Sequence, residues 1–143
     1  MTLIDFYVNA ENRLATLSSI GVRAMQKQSR LFVLTQDAAE TDRVDRFLWT
    51  QPAVGFLPHC RASHRLAGVT PIIVDHVTDP IVHEQVLVNF TRDCEAVFSR
   101  FERLVEIVGL DEEDKAQARA RFRFYRDRGY EIRTHDLAKS GNA

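Results

Sequence analysis

The chain has 143 residues, 45% of them hydrophobic, which suffices for one domain with a sizeable core and is too little for two of ordinary size. Lysine and arginine number 19 against 20 acids, a formal net charge of -1, so this is not a chain that coats nucleic acid through bulk positive charge. It has two cysteines, Cys60 and Cys94, begins without the regions of a secretory signal, and has no apolar run near the roughly 20 residues that cross a bilayer; a cytoplasmic protein with reduced thiols and no membrane role is expected.

Residues 3–8 form a short apolar run with an acid inside it, and Leu14, Leu17, Ile20 and Ala24 then recur at helical spacing. Strand and helix are predicted there. Residues 31–35, LFVLT, are β-branched or aromatic without alternation, as in a strand buried on both faces. Gln36 and Asp37 open a second helix whose apolar side is Ala39, Val44, Phe47 and Leu48, and Pro52 enforces its stop after Trp49. Strand, helix, strand, helix is the order of an α/β unit. Trp49, Phe56, Leu57 and Pro58 lie in or beside an irregular stretch, where large apolar side chains either fold back onto the core or face a partner.

A polar, basic loop over residues 61–68 precedes a third predicted strand at 71–74 and a fourth at 84–90, EQVLVNF. With no helix between them, this part of the sheet is either antiparallel or joined by a tight turn. Val97, Phe98, Phe101, Leu104, Val105 and Val108 mark one face of a predicted amphipathic helix ended by Gly109. Asp111 is the expected N-cap of a last, basic helix and Gly129 its stop, with residues 130–134 returning to the sheet as an extended segment. The expected architecture is a single three-layer α/β domain over residues 1–137, with a mostly parallel central sheet, helices on both faces, a C-terminal basic helix and a flexible tail at 138–143.

Neither G-x-x-x-x-G-K-[ST] nor G-x-G-x-x-G occurs, and the first strand-to-helix turn, residues 9–12, holds no glycine or lysine to cradle a phosphate. A nucleotide-hydrolysing role is not expected. His59, Cys60 and His64 lack the second short-spaced pair that a structural zinc site needs, so neither metal nor cofactor is assigned. Asp75 and His76, at a strand end, are the best purely catalytic candidates.

On the last helix, Lys115, Arg119, Arg123 and Arg126 fall on one side, and Ala118, Phe122 and Tyr125 form an apolar stripe beside them. Guanidinium forks next to a ring-lined crevice suit a ligand that is both acidic and apolar. Acids at 111–114 followed by arginines also complement the dipole of any solvated helix, and spacing alone does not separate the two readings.

The phenylalanine of the first strand, DRFLWTQPAVGFLPH at 45–59 and ARARFRFYRDRG at 118–129 together resemble the chi subunit of bacterial DNA polymerase III, over nearly the whole chain. The resemblance implies a noncatalytic accessory subunit that links the clamp loader of the replicase to single-stranded DNA-binding protein, by holding that protein's acidic C-terminal tail with its terminal Ile-Pro-Phe. It places the tail site at Lys115, Arg119, Phe122 and Arg123, the last two standing where the family commonly has tyrosine and lysine. It places a second surface, for the psi subunit or an equivalent clamp-loader component, at Trp49, Phe56 and Pro58. Two other readings stand beside it: a small nucleic-acid-binding module employing the helix arginines with Phe122 or Tyr125, and a small α/β enzyme with a site near Asp75 and His76.

Overall fold

The computed structural model describes residues 1–50, 57–79 and 81–140. Strand β1 (Leu3–Ala10) leads to Asn12, whose side chain caps α1 (Arg13–Gln26) by accepting from the backbone N–H groups of Leu14 and Ala15. The helix ends in a Schellman turn: Ser29 N donates to Ala24 O and Gln28 N to Met25 O, with Gln28 in the left-handed position at φ 58°. Strand β2 (Leu31–Leu34) follows, then Asp37, whose carboxylate accepts from Glu40 N and starts α2 (Ala38–Trp49). Strands β3 (His59–Cys60), β4 (Ile72–Asp75), β5 (Val86–Asn89) and β6 (Arg103–Gly109) come next. Helix α3 (Glu112–Asp127), strand β7 (Ile132–Asp136) and the short α4 (Leu137–Ser140) complete the described chain.

All seven strands are parallel, in the order β3-β4-β2-β5-β6-β1-β7. The inner strands are buried on both faces, so successive residues feed two separate cores. On one side, Leu31, Val33, Ile72, Val74, Val86, Val88, Val105 and Ile107 pack under α1 and α2; on the other, Phe32, Leu34, Ile73, Leu87, Leu104 and Val108 pack under α3 and the short 3-10 helix Ala96–Arg100. The expected three-layer α/β arrangement with helices on both faces is what the chain forms, and its sheet is wholly parallel. In α1, Gly21 permits the close approach: a Cβ there would lie 3.1 Å from Leu57 and 3.3 Å from Ile72.

The main departure from the sequence reading lies at residues 96–109. Where an amphipathic helix is predicted, the chain makes a 3-10 turn and then β6, paired with both β1 and β5. The apolar positions from Val97 to Val108 match a helical period by coincidence, because a strand buried on both faces has no period of its own. Strands β4 and β5, left open as antiparallel, are parallel and separated by β2; their connection contains no helix among the described residues. The extended segment after α3 begins at Ile132 and runs to Asp136, and Leu137–Ser140 turns helical where a flexible tail is predicted.

Candidate functional site

Helix α3 is fixed to the sheet by a buried polar cluster. Glu106, on β6 and wholly inaccessible, accepts from Arg121 Nε at 3.1 Å, from Tyr125 Oη at 2.6 Å and from Asn89 Nδ2 at 3.0 Å. Arg121 reaches on to Arg92 O at 3.1 Å, and Asn89 accepts from the backbone and hydroxyl of Thr91. Burial pushes the Glu106 carboxyl above its usual value, against the pull of Arg121, Asn89 and Tyr125, and burial with the adjoining Glu106 pushes the Tyr125 phenol far upward. Arg121, one residue off the apolar stripe, turns inward because β6 carries an acid beneath it. Tyr125 likewise belongs to the core, as does Ala118, leaving the half-buried Phe122 as the part of the stripe that reaches the surface.

That outer part borders a cavity of about 270 Å³ at the carboxyl end of β1 and β6. Its floor is Phe6, Val8 and Val108, and its wall is Ala118 and Phe122, the Phe122 ring lying edge-on to Phe6 at 5.3 Å. Lys115 and Arg119 line it from successive turns of α3. Asn9 completes the rim in a left-handed conformation at φ 61°, where the β1–β6 register shifts, and donates to Asp136 Oδ1 at 2.9 Å. Of the four residues expected in this place, Lys115, Arg119 and Phe122 converge on the cavity. Arg123 is exposed on the next turn and does not line it. Lys115 approaches Glu112 only to 4.0 Å, and neither Arg119 nor Arg123 makes an ion pair among the described residues.

The second expected surface is partly visible. Trp49, the last residue of α2, is 60% exposed, and its ring meets His59 edge-on at 5.2 Å. His59 is itself buried, with Nδ1 2.6 Å from Leu57 O and Nε2 3.1 Å from Asp45 Oδ1, so Trp49 stands on a fixed support. Pro58 is half-buried at the start of β3, and Leu57 is core. Phe56 lies outside the described residues.

Both oxygens of Asp75 are engaged by backbone N–H groups, of Ala62 at 3.0 Å and His76 at 2.8 Å, which makes the carboxylate a tie between two loops. Among the described residues no group of three or more His, Cys, Asp and Glu is arranged to hold a metal ion, and no helix is long and apolar enough to cross a membrane.

The family model for the DNA polymerase III chi subunit, HolC, matches residues 1–133. The chain belongs to the DNA polymerase III chi subunit family. It is 27% identical to DNA polymerase III subunit chi of Pseudomonas aeruginosa, over 97% of this chain and 99% of that one. The chi subunit of Escherichia coli is 24% identical, over 80% of this chain and 79% of its own, and that of Haemophilus influenzae 21%, over 93% and 96%. This chi-family chain is thus of a kind named as a polymerase subunit rather than as a catalytic unit.

The sheet's contribution to the α3 cavity, Phe6, Val8, Asn9 and Val108, is what sequence reasoning missed. The phenylalanine of β1 is legible in the sequence, but its nearness to Phe122 depends on strand order. Glu106 left a signal that could have been read: a lone acid in the apolar run LVEIV is buried with a partner or is not buried at all.

Proposed function

We propose that this chi-family chain is a noncatalytic cytoplasmic subunit of the replicase that holds the acidic C-terminal tail of single-stranded DNA-binding protein in the α3 cavity. The observation that carries the reading is the pairing of an apolar recess with two cations, Arg119, which makes no ion pair among the described residues, and Lys115, held only by a 4.0 Å contact to exposed Glu112. Its volume is near the lower end for ligand pockets, roughly 300 Å³, and accommodates one aromatic side chain rather than a cofactor. Phe6, Val8 and Phe122 would bury the terminal phenylalanine, Lys115 and Arg119 would take the α-carboxylate, and Arg123, a turn further along the ridge, would meet the acids that precede it. The acidic first turn of α3, Glu112, Glu113 and Asp114, repels an acidic segment and confines it to the arginine end.

The Trp49 surface supports the second half of the reading, a contact with the psi subunit or an equivalent clamp-loader component. An exposed indole braced by a buried imidazole is a rigid apolar anchor, the kind of residue on which interfaces concentrate their energy. Pro58 is at hand beside β3, and Phe56 is proposed as a further contact on the resemblance alone. With Trp49 on α2 and the tail cavity under α3, on opposite faces of the sheet, one chain can hold both partners at once.

The decisive experiment is fluorescence anisotropy with a labelled peptide ending in acids followed by Ile-Pro-Phe. Binding in the micromolar range, roughly -8 kcal/mol, is expected, with most of it lost when the last phenylalanine is deleted or its carboxylate amidated. A basic face acting only by general attraction would be indifferent to both changes and would be erased by salt; that pattern would overturn the reading.

A further inference from the structure

Away from both surfaces, on the α1 side of the sheet, the geometry points to a binding site for a single phosphate-like anion between the last turns of α1 and the start of β6. A cavity of about 150 Å³ there is lined by Arg23, Lys27, Ser29 and Arg103, over a floor that includes Leu31 and Val105. Three cations and no carboxylate face this space. Arg23 and Lys27 are four residues apart on one helix, an arrangement that repels, and neither forms an ion pair among the described residues.

The macrodipole at the α1 C-terminus offsets part of this charge, but it amounts to roughly half a unit against three cations. Asp5, behind the cavity, offsets little more, because it is heavily subscribed. Its buried carboxylate accepts from Arg103 Nε at 2.6 Å and from Arg133 at 2.9 and 3.1 Å, with His135 Nε2 at 2.9 Å. Burial alone would raise this carboxyl; the bonds from Arg133, His135 and Arg103 outweigh it and hold it below its usual value. For Arg103 the consequence is geometric. Its Nε is anchored on Asp5 while the residue lines the cavity, so an anion bound there meets an arginine already held in place, without the rotamer cost of a free one.

Tyr7 and Ser29 add hydroxyl groups to the lining, and Arg23 lies 5.9 Å over the Tyr7 ring, so a second cation is also partly steered. At half the roughly 300 Å³ where ligand pockets begin, the space takes a phosphate or sulfate group and not a nucleotide. The group can come from free phosphate or from one phosphodiester of a strand passing over the surface.

The test is an amide-resonance titration of the full chain with sodium phosphate at constant ionic strength, set against sodium chloride. Saturable shifts at Arg23, Lys27, Ser29 and Arg103 are expected. In the doubly substituted Arg23→Gln, Lys27→Gln protein, whose changes are on exposed side chains, the dissociation constant should rise at least tenfold while peptide binding at α3 stays as in the parent. A second arm uses an eight-residue oligothymidylate: displacement of phosphate from the same resonances assigns the site to a polynucleotide backbone, and absence of displacement assigns it to free phosphate. No saturable shift with either probe, or equal shifts in parent and variant, would overturn the inference.

Discussion

Glu106 of β6 and Arg121 of α3 meet at 3.1 Å with neither side chain open to solvent, so the helix that carries the candidate tail site is held by a charge pair inside the protein. Removing one member leaves the other buried and unpaired, which costs about 3 to 5 kcal/mol, whereas replacing both by well-packed neutral groups is often tolerated. Arg121→Ala should therefore strongly destabilise the fold in urea titrations, and Glu106→Gln with Arg121→Met should recover much of the loss. The pH dependence has a definite sign. Glu106 is already raised above its ordinary 4.5 by burial, and losing Arg121 raises it further. A carboxyl raised in the folded state contributes most below its unfolded pKa, and that contribution is lost as pH rises towards the folded one. The deficit of Arg121→Ala should be smallest below the ordinary carboxyl value of 4.5 and grow as pH rises above it; a deficit independent of pH would show that the charge pair is not its origin.

On the outer side of α3, Arg119→Ala and Arg123→Ala should each weaken the acidic peptide by about tenfold or more, since one charge-assisted hydrogen bond at a partly desolvated site is worth about 1.5 to 3 kcal/mol. Arg128→Ala is the appropriate control. Its guanidinium sits 3.5 Å from the Phe124 ring centroid, away from the cavity, and its loss should leave peptide affinity within twofold in the same anisotropy assay.

Trp49→Ala should abolish joining to the clamp-loader-side partner in co-purification while peptide binding at α3 persists. A truncated aromatic anchor costs about 2 kcal/mol or more at an interface, and a residue 60% exposed in the free chain contributes little to folding. Circular dichroism should match the parent. A folded variant that still joins the partner would reassign this surface.

Gln28→Gly should stabilise the protein. Gln28 occupies the left-handed position that closes α1, at φ 58°, where a side chain is disfavoured and glycine is the usual occupant. An increase of about 0.5 to 1 kcal/mol, or roughly 1 to 4 °C in Tm, is expected by thermal melt. Gly129 already fills the matching position after α3, at φ 83°, so Gly129→Ala should move the melt the other way by at least as much.

Local chemistry made much of this molecule legible from its residues in order. Asn12 and Asp37 accept hydrogen bonds at helix starts, Gly129 ends α3, and the unbroken apolar runs at 31–34 and 72–74 become doubly buried strands; each depends on neighbours within a few positions. The ridge of Lys115, Arg119 and Arg123 was equally readable, because helical spacing alone puts them on one side.

What the tertiary structure alone decided depends on contacts far apart in sequence. Leu104 to Val108 carries a spacing that fits a helix, and only the insertion of this segment between β1 and β5 makes it a strand. Arg121 is indistinguishable from Arg119 and Arg123 by composition; it turns inward because Glu106, 15 residues earlier, lies under that turn of α3. Phe6 and Phe122 are brought to 5.3 Å by the position of β1 beside β6, and that juxtaposition converts an apolar stripe into a cavity. The spacing of residues along one helix is set by its own backbone, whereas the floor beneath it is set by which strands come to lie side by side.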